Sequence, residues 1–202
     1  MGKSTVLSLF EKFGAIIINT DEIVGSLLKK AEVLEKIKGL LGDKAFLEDG
    51  SLNTERVADI VFHNDILRRS LEDILHPLVF ERINFFLDGI ADGDKIILVE
   101  IPLLFERGYE GGFDKKITVY TEENTALNRI ERKGVPRKEA VLRLKSQLPI
   151  EEKITRSDFI IDNNGALEET TLQVETICKE LLKEAKKDGN NTRARKLKQE
   201  LS

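Results

Sequence analysis

Apolar residues at Val6, Phe10 and Phe13, with Leu9 beside them, fall on one face of a helix over residues 3 to about 13. Gly14 follows, where such a helix ends in a left-handed residue. The pattern then changes period. "AIIIN" is a continuous β-branched run closed by Asn19-Thr20-Asp21, as in a strand buried on both faces. "KIILVEI" (95–101) and "KITVYT" (116–121) read the same way, and "DFIID" (158–162) is a shorter fourth strand. Between them the period is helical: Val57, Ile60 and Val61 form one stripe, and Ile66, Ser70, Ile74, Leu78 and Phe85 suggest a long helix, or a pair of helices, around Pro77. Strands alternating with helices predict an α/β fold with a parallel sheet.

The connections differ in length. Residues 22–94 exceed what a crossover needs and predict a helical subdomain, and residues 123–157 form a second, charged helical excursion broken by "KGVPRK". Residues 1–185 are thus expected to form one domain, and 186–202, "KKDGNNTRARKLKQELS", a polar basic tail without fixed structure.

Composition narrows the function. A net charge of −4 and a pI near 5.5 argue against a general nucleic-acid or membrane-surface binder, so an anionic substrate must be met by locally gathered Lys and Arg. The single cysteine, Cys178, excludes an internal disulfide and a Cys-rich metal site, and its helical neighbours Val174, Ile177 and Leu181 predict burial. No uninterrupted apolar run approaches a membrane span, and a cytoplasmic monomer is expected.

The chemistry begins at once. "GKST" is the second half of the phosphate-binding fingerprint G-x-x-x-x-G-K-[ST] and leads directly into a helix, as the motif requires. In that role the backbone of Gly2 approaches the phosphates and Lys3 bridges the β- and γ-phosphates of ATP. The hydroxyl of Ser4, with Thr5 beside it, would meet Mg²⁺ at the positive end of the helix dipole. So short a match also arises by chance, and the segments further along decide between these readings.

Taken with "FEKFGAIIINTDEI", "ILHPLV", "EIPLLFERG" and "QLPIEEKITRSDFIIDNNG", the opening resembles the dephospho-CoA kinase family over residues 2–182. The resemblance implies a P-loop nucleotide kinase: a parallel sheet with a helical CoA-binding part and a lid. It would phosphorylate the ribose 3′-hydroxyl of dephospho-CoA with ATP and Mg²⁺, the last step of coenzyme A biosynthesis. The family pattern opens with an apolar strand and a Gly-rich turn ahead of the Lys, and that strand is central, between those reading "ILVEI" and "ITVY" here. The expectation is therefore two strand pairs with the central strand missing, each buried unpaired backbone group costing about 1–3 kcal/mol against a margin of about 5–15 kcal/mol. Either Met1 lies inside a longer G-M-G-K-S-T stretch, or the chain is a shortened and inactive relative.

The same resemblance assigns further residues. Asp21 would face the acceptor hydroxyl, orienting it and taking its proton; the alternative is a helix N-cap. Asn19 stands where the family has a first acid. Glu100, inside an apolar strand, would approach Mg²⁺ through water or serve the acceptor, unless it is paired with a nearby Lys or backbone N–H. His76 would hydrogen-bond CoA or a backbone carbonyl. Arg129, Arg132, Arg143 and Lys153 fall at lid positions, with Arg132 the first choice for the phosphate contact and Arg129 the second. Asn164 and Gly165, in "DNNG", would let backbone approach the adenine. Glu106 reads as a helix-face or turn charge. Two rivals remain: a nucleotide kinase with another acceptor, and a CoA-binding fragment without catalysis.

Overall fold

The computed structural model of the chain describes residues 2–90, 95–132, 134–145 and 147–187. The tail beyond 187 and the side chain of Arg143 lie outside the described residues. In chain order the elements are α1 (Lys3–Lys12), β1 (Ile16–Asn19), α2 (Thr20–Leu27), α3 (Ala31–Leu41), α4 (Thr54–Phe62), α5 (Asp65–Gly89) and β2 (Ile97–Glu100). There follow β3 (Ile117–Tyr120), α6 (Glu123–Glu131), α7 (Arg137–Lys145), α8 (Ile150–Thr155), β4 (Phe159–Asp162) and α9 (Leu167–Lys187). Short 3₁₀ turns occupy Asp43–Ala45 and Tyr109–Gly112. The chain forms two compact units, Met1–Ile18 with Asp92–Ser202, and Asn19–Ala91.

In the first unit Val6, Leu9 and Phe10 of the expected face are buried, whereas Phe13 follows the last helical residue and is 37% exposed. Gly14 turns the chain out of the helix at φ +88°, a conformation that costs L-residues about 1–2 kcal/mol. The strands follow as two pairs, β1 with β2 and β3 with β4; β3 and β4 are parallel, with Ile117 opposite Phe159 and Tyr120 opposite Asp162. Among the described residues no strand joins β2 to β3, which is the division expected of a sheet whose central strand is missing. Both pairs nevertheless lie on one core. Val6, Leu9, Phe10, Ala15, Ile161, Val174, Ile177 and Cys178 form it, and Ile17, Leu98, Ile117 and Val119 pack against it.

One expectation needs adjustment here. The strands are largely half-buried, with Ile18, Thr118 and Ile161 fully covered, because each strand has a neighbour on one side only. Cys178 is buried as expected, and burial pushes its thiol above the usual 9.0.

The second unit is helical. Asn19 caps α2, Asn53 caps α4 and Asn64 caps α5, each side-chain oxygen accepting from backbone N–H groups of the first turn. Val33, Ile37, Leu41, Ala45, Val57 and Leu75 make its core. Helix α5 is continuous over 25 residues with Pro77 inside it; its packing against α2, α3 and α4 outweighs the lost N–H donor. The expected stripe on α5 is corrected: Ile66 and Phe85 are 77% and 64% exposed, whereas Leu75, Val79 and Ile83 are buried. The reason is a row at i, i+4 from Leu67 through Leu71 to Ile83, aliphatic without interruption, against a rival row broken by Ser70.

Candidate active site

The opening of α1 presents the positive end of a helix dipole. Gly2 takes the left-handed conformation at φ +79°, no acid lies in the first turn, and Ser4 and Thr5 are exposed there. A Cβ on Gly2 would run into Asn163 Nδ2 and stand 3.6 Å from Arg129 Nη1, so glycine is required both by conformation and by close approach. Strand β2 ends beside this turn: Lys3 Nζ lies 3.6 Å from Glu100 Oε1, with the carboxylate 17% exposed. Of the roles left open for Glu100, pairing with a lysine is the one seen, and that lysine is the phosphate-motif lysine itself.

Arg129, in the last turn of α6, is thus brought to the Gly2 turn. Arg132, the first choice from the sequence, caps α6 with its side chain exposed. The asparagines of "DNNG" divide their work. Asn164 accepts the Glu122 N–H at 2.8 Å and donates to Asp162 Oδ1 at 2.7 Å, which fixes the turn, and Gly165 is exposed. Asn163, passed over in the sequence, is 7% exposed, accepts from the Thr170 hydroxyl at 3.2 Å and faces Gly2. The doubled asparagine was the available signal, since one polar residue at a strand end usually suffices for a turn.

Asp21 and His76 belong to the helical unit. Asp21 is exposed in the first turn of α2, but the cap is Asn19, whose Oδ1 accepts the Asp21 N–H at 2.9 Å. The carboxylate is therefore not occupied in capping, and Asn19 has a structural task where the family pattern has an acid. His76 is half-buried on α5 next to Pro77.

Glu106 exceeds its reading as a helix-face or turn charge. Its Oε1 accepts from Lys153 Nζ at 2.7 Å and from the Leu148 N–H at 3.0 Å, and both side chains of the ion pair are under 15% exposed. Burial pushes this carboxyl up, yet the Lys153 hydrogen bond, backbone N–H donors and the Lys153 charge together hold it below the usual 4.5. Lys153, expected among the lid cations, is engaged here.

Divalent metal has a modest but suitable donor set. Among the described residues no cluster of three acidic, His or Cys ligands exists, so an all-protein cage is absent. A nucleotide-borne Mg²⁺ needs only one or two protein oxygens beside phosphate and water, and the exposed Ser4 hydroxyl at the α1 terminus fits that demand.

A Gly-Lys-Ser-Thr helix terminus with an arginine against its glycine, beside strand ends of an α/β core, is the arrangement of a P-loop type phosphotransferase. The comparisons give the particular family. The dephospho-CoA kinase family model matches residues 1–169. A dephospho-CoA kinase of Aquifex aeolicus is 33% identical, covering 91% of this chain and 93% of its own, and one from Listeria innocua is 37% identical, covering 87% and 89%. Among solved structures, TT1252 from Thermus thermophilus superposes with a TM-score of 0.78 at 29% identity, covering 89% of this chain and 92% of its own. Dephospho-CoA kinase from Campylobacter jejuni gives 0.65 at 28%, covering 91% and 93%. The chain belongs to the dephospho-CoA kinase family.

Proposed function

We propose that this chain transfers the γ-phosphoryl group of ATP to the ribose 3′-hydroxyl of dephospho-CoA, giving coenzyme A. One observation carries the reading: Arg129 stands against the Gly2 turn from which Lys3 leads into α1, where the helix dipole favours an anion. Phosphoryl transfer proceeds through a loose transition state, so catalysis consists mainly of positioning and charge stabilisation, and two cations at one terminus supply both. The Lys3 ammonium moves from Glu100 to the β- and γ-phosphates, while Arg129 and the lid cation Arg132 cover the transferring group. Gly2 and Thr5 give backbone and hydroxyl donors to the phosphates, and Asn164 and Gly165 shape the adenine edge with Asn163. Mg²⁺, held through Ser4, would neutralise charge between the β- and γ-phosphates.

Asp21 is assigned to the acceptor hydroxyl, which it orients and from which it takes the proton; its exposed carboxylate supports this. His76 and Glu100 are assigned to the acceptor side. The enzyme acts as a cytoplasmic monomer. Among the described residues no helix is long and apolar enough to cross a membrane.

Competition between dephospho-CoA, AMP, dCMP and shikimate in a coupled ATPase assay tests the acceptor. Phosphorylation of dephospho-CoA alone is expected, and preference for another acceptor overturns it. A second reading, nucleotide or CoA binding without turnover, is favoured by the unjoined edges of β2 and β3. Calorimetry distinguishes the two: heat with Mg-ATP but no product in the assay supports the second.

A further inference from the structure

The loop leaving β2 bends sharply at Leu103, the only non-glycine residue with positive φ among those described (59°), and then presents two carboxylates at i and i+4, Glu106 and Glu110. Helix α8 offers two cations at i and i+3, Lys153 and Arg156. They pair in order, Glu106 with Lys153 and Glu110 with Arg156, whose guanidinium also lies 5.2 Å from the Phe105 ring centroid. Glu106 adds the Leu148 N–H just ahead of α8, and Lys153 adds Gln147 Oε1 at 3.0 Å. The two sequence segments "PLLFE" and "QLPIEEK" are thereby joined atom to atom.

Half-buried ion pairs contribute little net stability against hydrophobic replacements, so stability alone is a weak reason for building one here. Its place in the chain suggests another. Residues 123–157 leave β3 through α6, which carries Arg129, and return through α8 to β4. Glu106 holds the return foot of that excursion on the exit of β2, the strand whose last residue, Glu100, meets Lys3.

We infer that Glu106 is a positioning residue for phosphoryl transfer: through Lys153 and the Leu148 N–H it fixes the foot of the lid relative to the strand that addresses Lys3. Its carboxylate does not touch substrate. The clasp sets where the lid cations meet the triphosphate, so loosening it lowers turnover more than it weakens acceptor binding. This inference rests on the kinase reading above.

Glu106→Gln keeps an oxygen for the Leu148 N–H and removes the charge facing Lys153. Measured well below the thermal transition, it should lower kcat about 10-fold or more with KM for dephospho-CoA within twofold. Hydrogen–deuterium exchange over 147–156 should quicken while α1 and α9 stay as protected as in the parent. Lys153→Gln should give the same losses, and the double variant no more than either single one, because the two act as one unit. Should Glu106→Gln fail to fold, Lys153→Gln alone carries the test. An unchanged kcat with unchanged exchange over 147–156, or a lowered melting temperature with kcat intact, overturns the inference. If the parent chain does not phosphorylate dephospho-CoA, the kinase reading fails, and the exchange data still decide whether the clasp holds the lid foot.

Discussion

Replacing Gly2 by alanine tests the site's construction through a quantity independent of catalysis. The substitution forces an L-residue to φ +79°, ψ 23°, which costs about 1–2 kcal/mol, offset in part by about 0.4–1 kcal/mol from a stiffer unfolded chain. The new methyl also displaces Asn163, which is 7% exposed and accepts the Thr170 hydroxyl at 3.2 Å. Losing that hydrogen bond costs about 1–1.5 kcal/mol, since Thr170 retains a weaker bond to the Ala166 carbonyl at 3.4 Å. Arg129 Nη1 at 3.6 Å makes only ordinary contact and adds nothing. The sum is about 1–3 kcal/mol, or about 2–12 °C for a chain of this length. Urea melts of Gly2→Ala, Asn163→Ala and the double variant complete a thermodynamic cycle. In the Asn163→Ala background the methyl has nothing to displace, so Gly2→Ala should cost only about 1 kcal/mol. Equal costs in both backgrounds, or under about 0.5 kcal/mol in the parent, refute the close approach.

Three further outcomes are expected. Lys3→Met should lower kcat/KM for ATP by about 100-fold or more in steady-state assays, with little change in the melting temperature, because its pair with Glu100 at 3.6 Å is 41% exposed on the lysine side. Asp21→Asn should cut turnover about a hundredfold and leave stability intact, whereas Asn19→Ala should cost about 1 kcal/mol in urea melts by removing the α2 cap. Glu106, Glu110 and Asp158 are each held below their ordinary values by cationic and backbone partners despite burial, so their contribution is present above about pH 4.5 and is lost as pH falls through the lowered folded values. Urea melts should therefore show stability dropping below about pH 4.5, and Glu106→Gln should flatten that slope.

The fold was legible where period and punctuation agreed. All four strands lie within the runs read for them, because uninterrupted β-branched residues between turn signals have few other solutions. Helix α5 was harder to read, since the two rows one residue apart are both largely aliphatic, the losing one broken by Ser70 and Arg82, and Pro77 suggested a break that packing overrides. The division of the strands into two pairs could be anticipated only from the resemblance, since no local pattern shows which strands are neighbours.

The site was legible at its motif and obscure at its supports, for a physical reason. Gly2, Lys3 and Ser4 share one glycine conformation and one helix terminus, local geometry that a short string encodes. Asn163 and Glu106 act across 161 and 42 residues of sequence, on Gly2 and Leu148 respectively, and a polar letter in a loop looks the same whether it faces water or a distant backbone N–H. That Arg129 stands at Gly2 was hidden from the sequence for the same cause. Arg129 and Arg132 both sit near the end of α6, three residues apart, and only the placement of the helix against α1's terminus decides which one approaches the glycine. On the proposed mechanism, long-range polar contacts of this kind would set the positions of the lid cations, so variants that preserve local propensity while removing one distant acceptor separate positioning from folding.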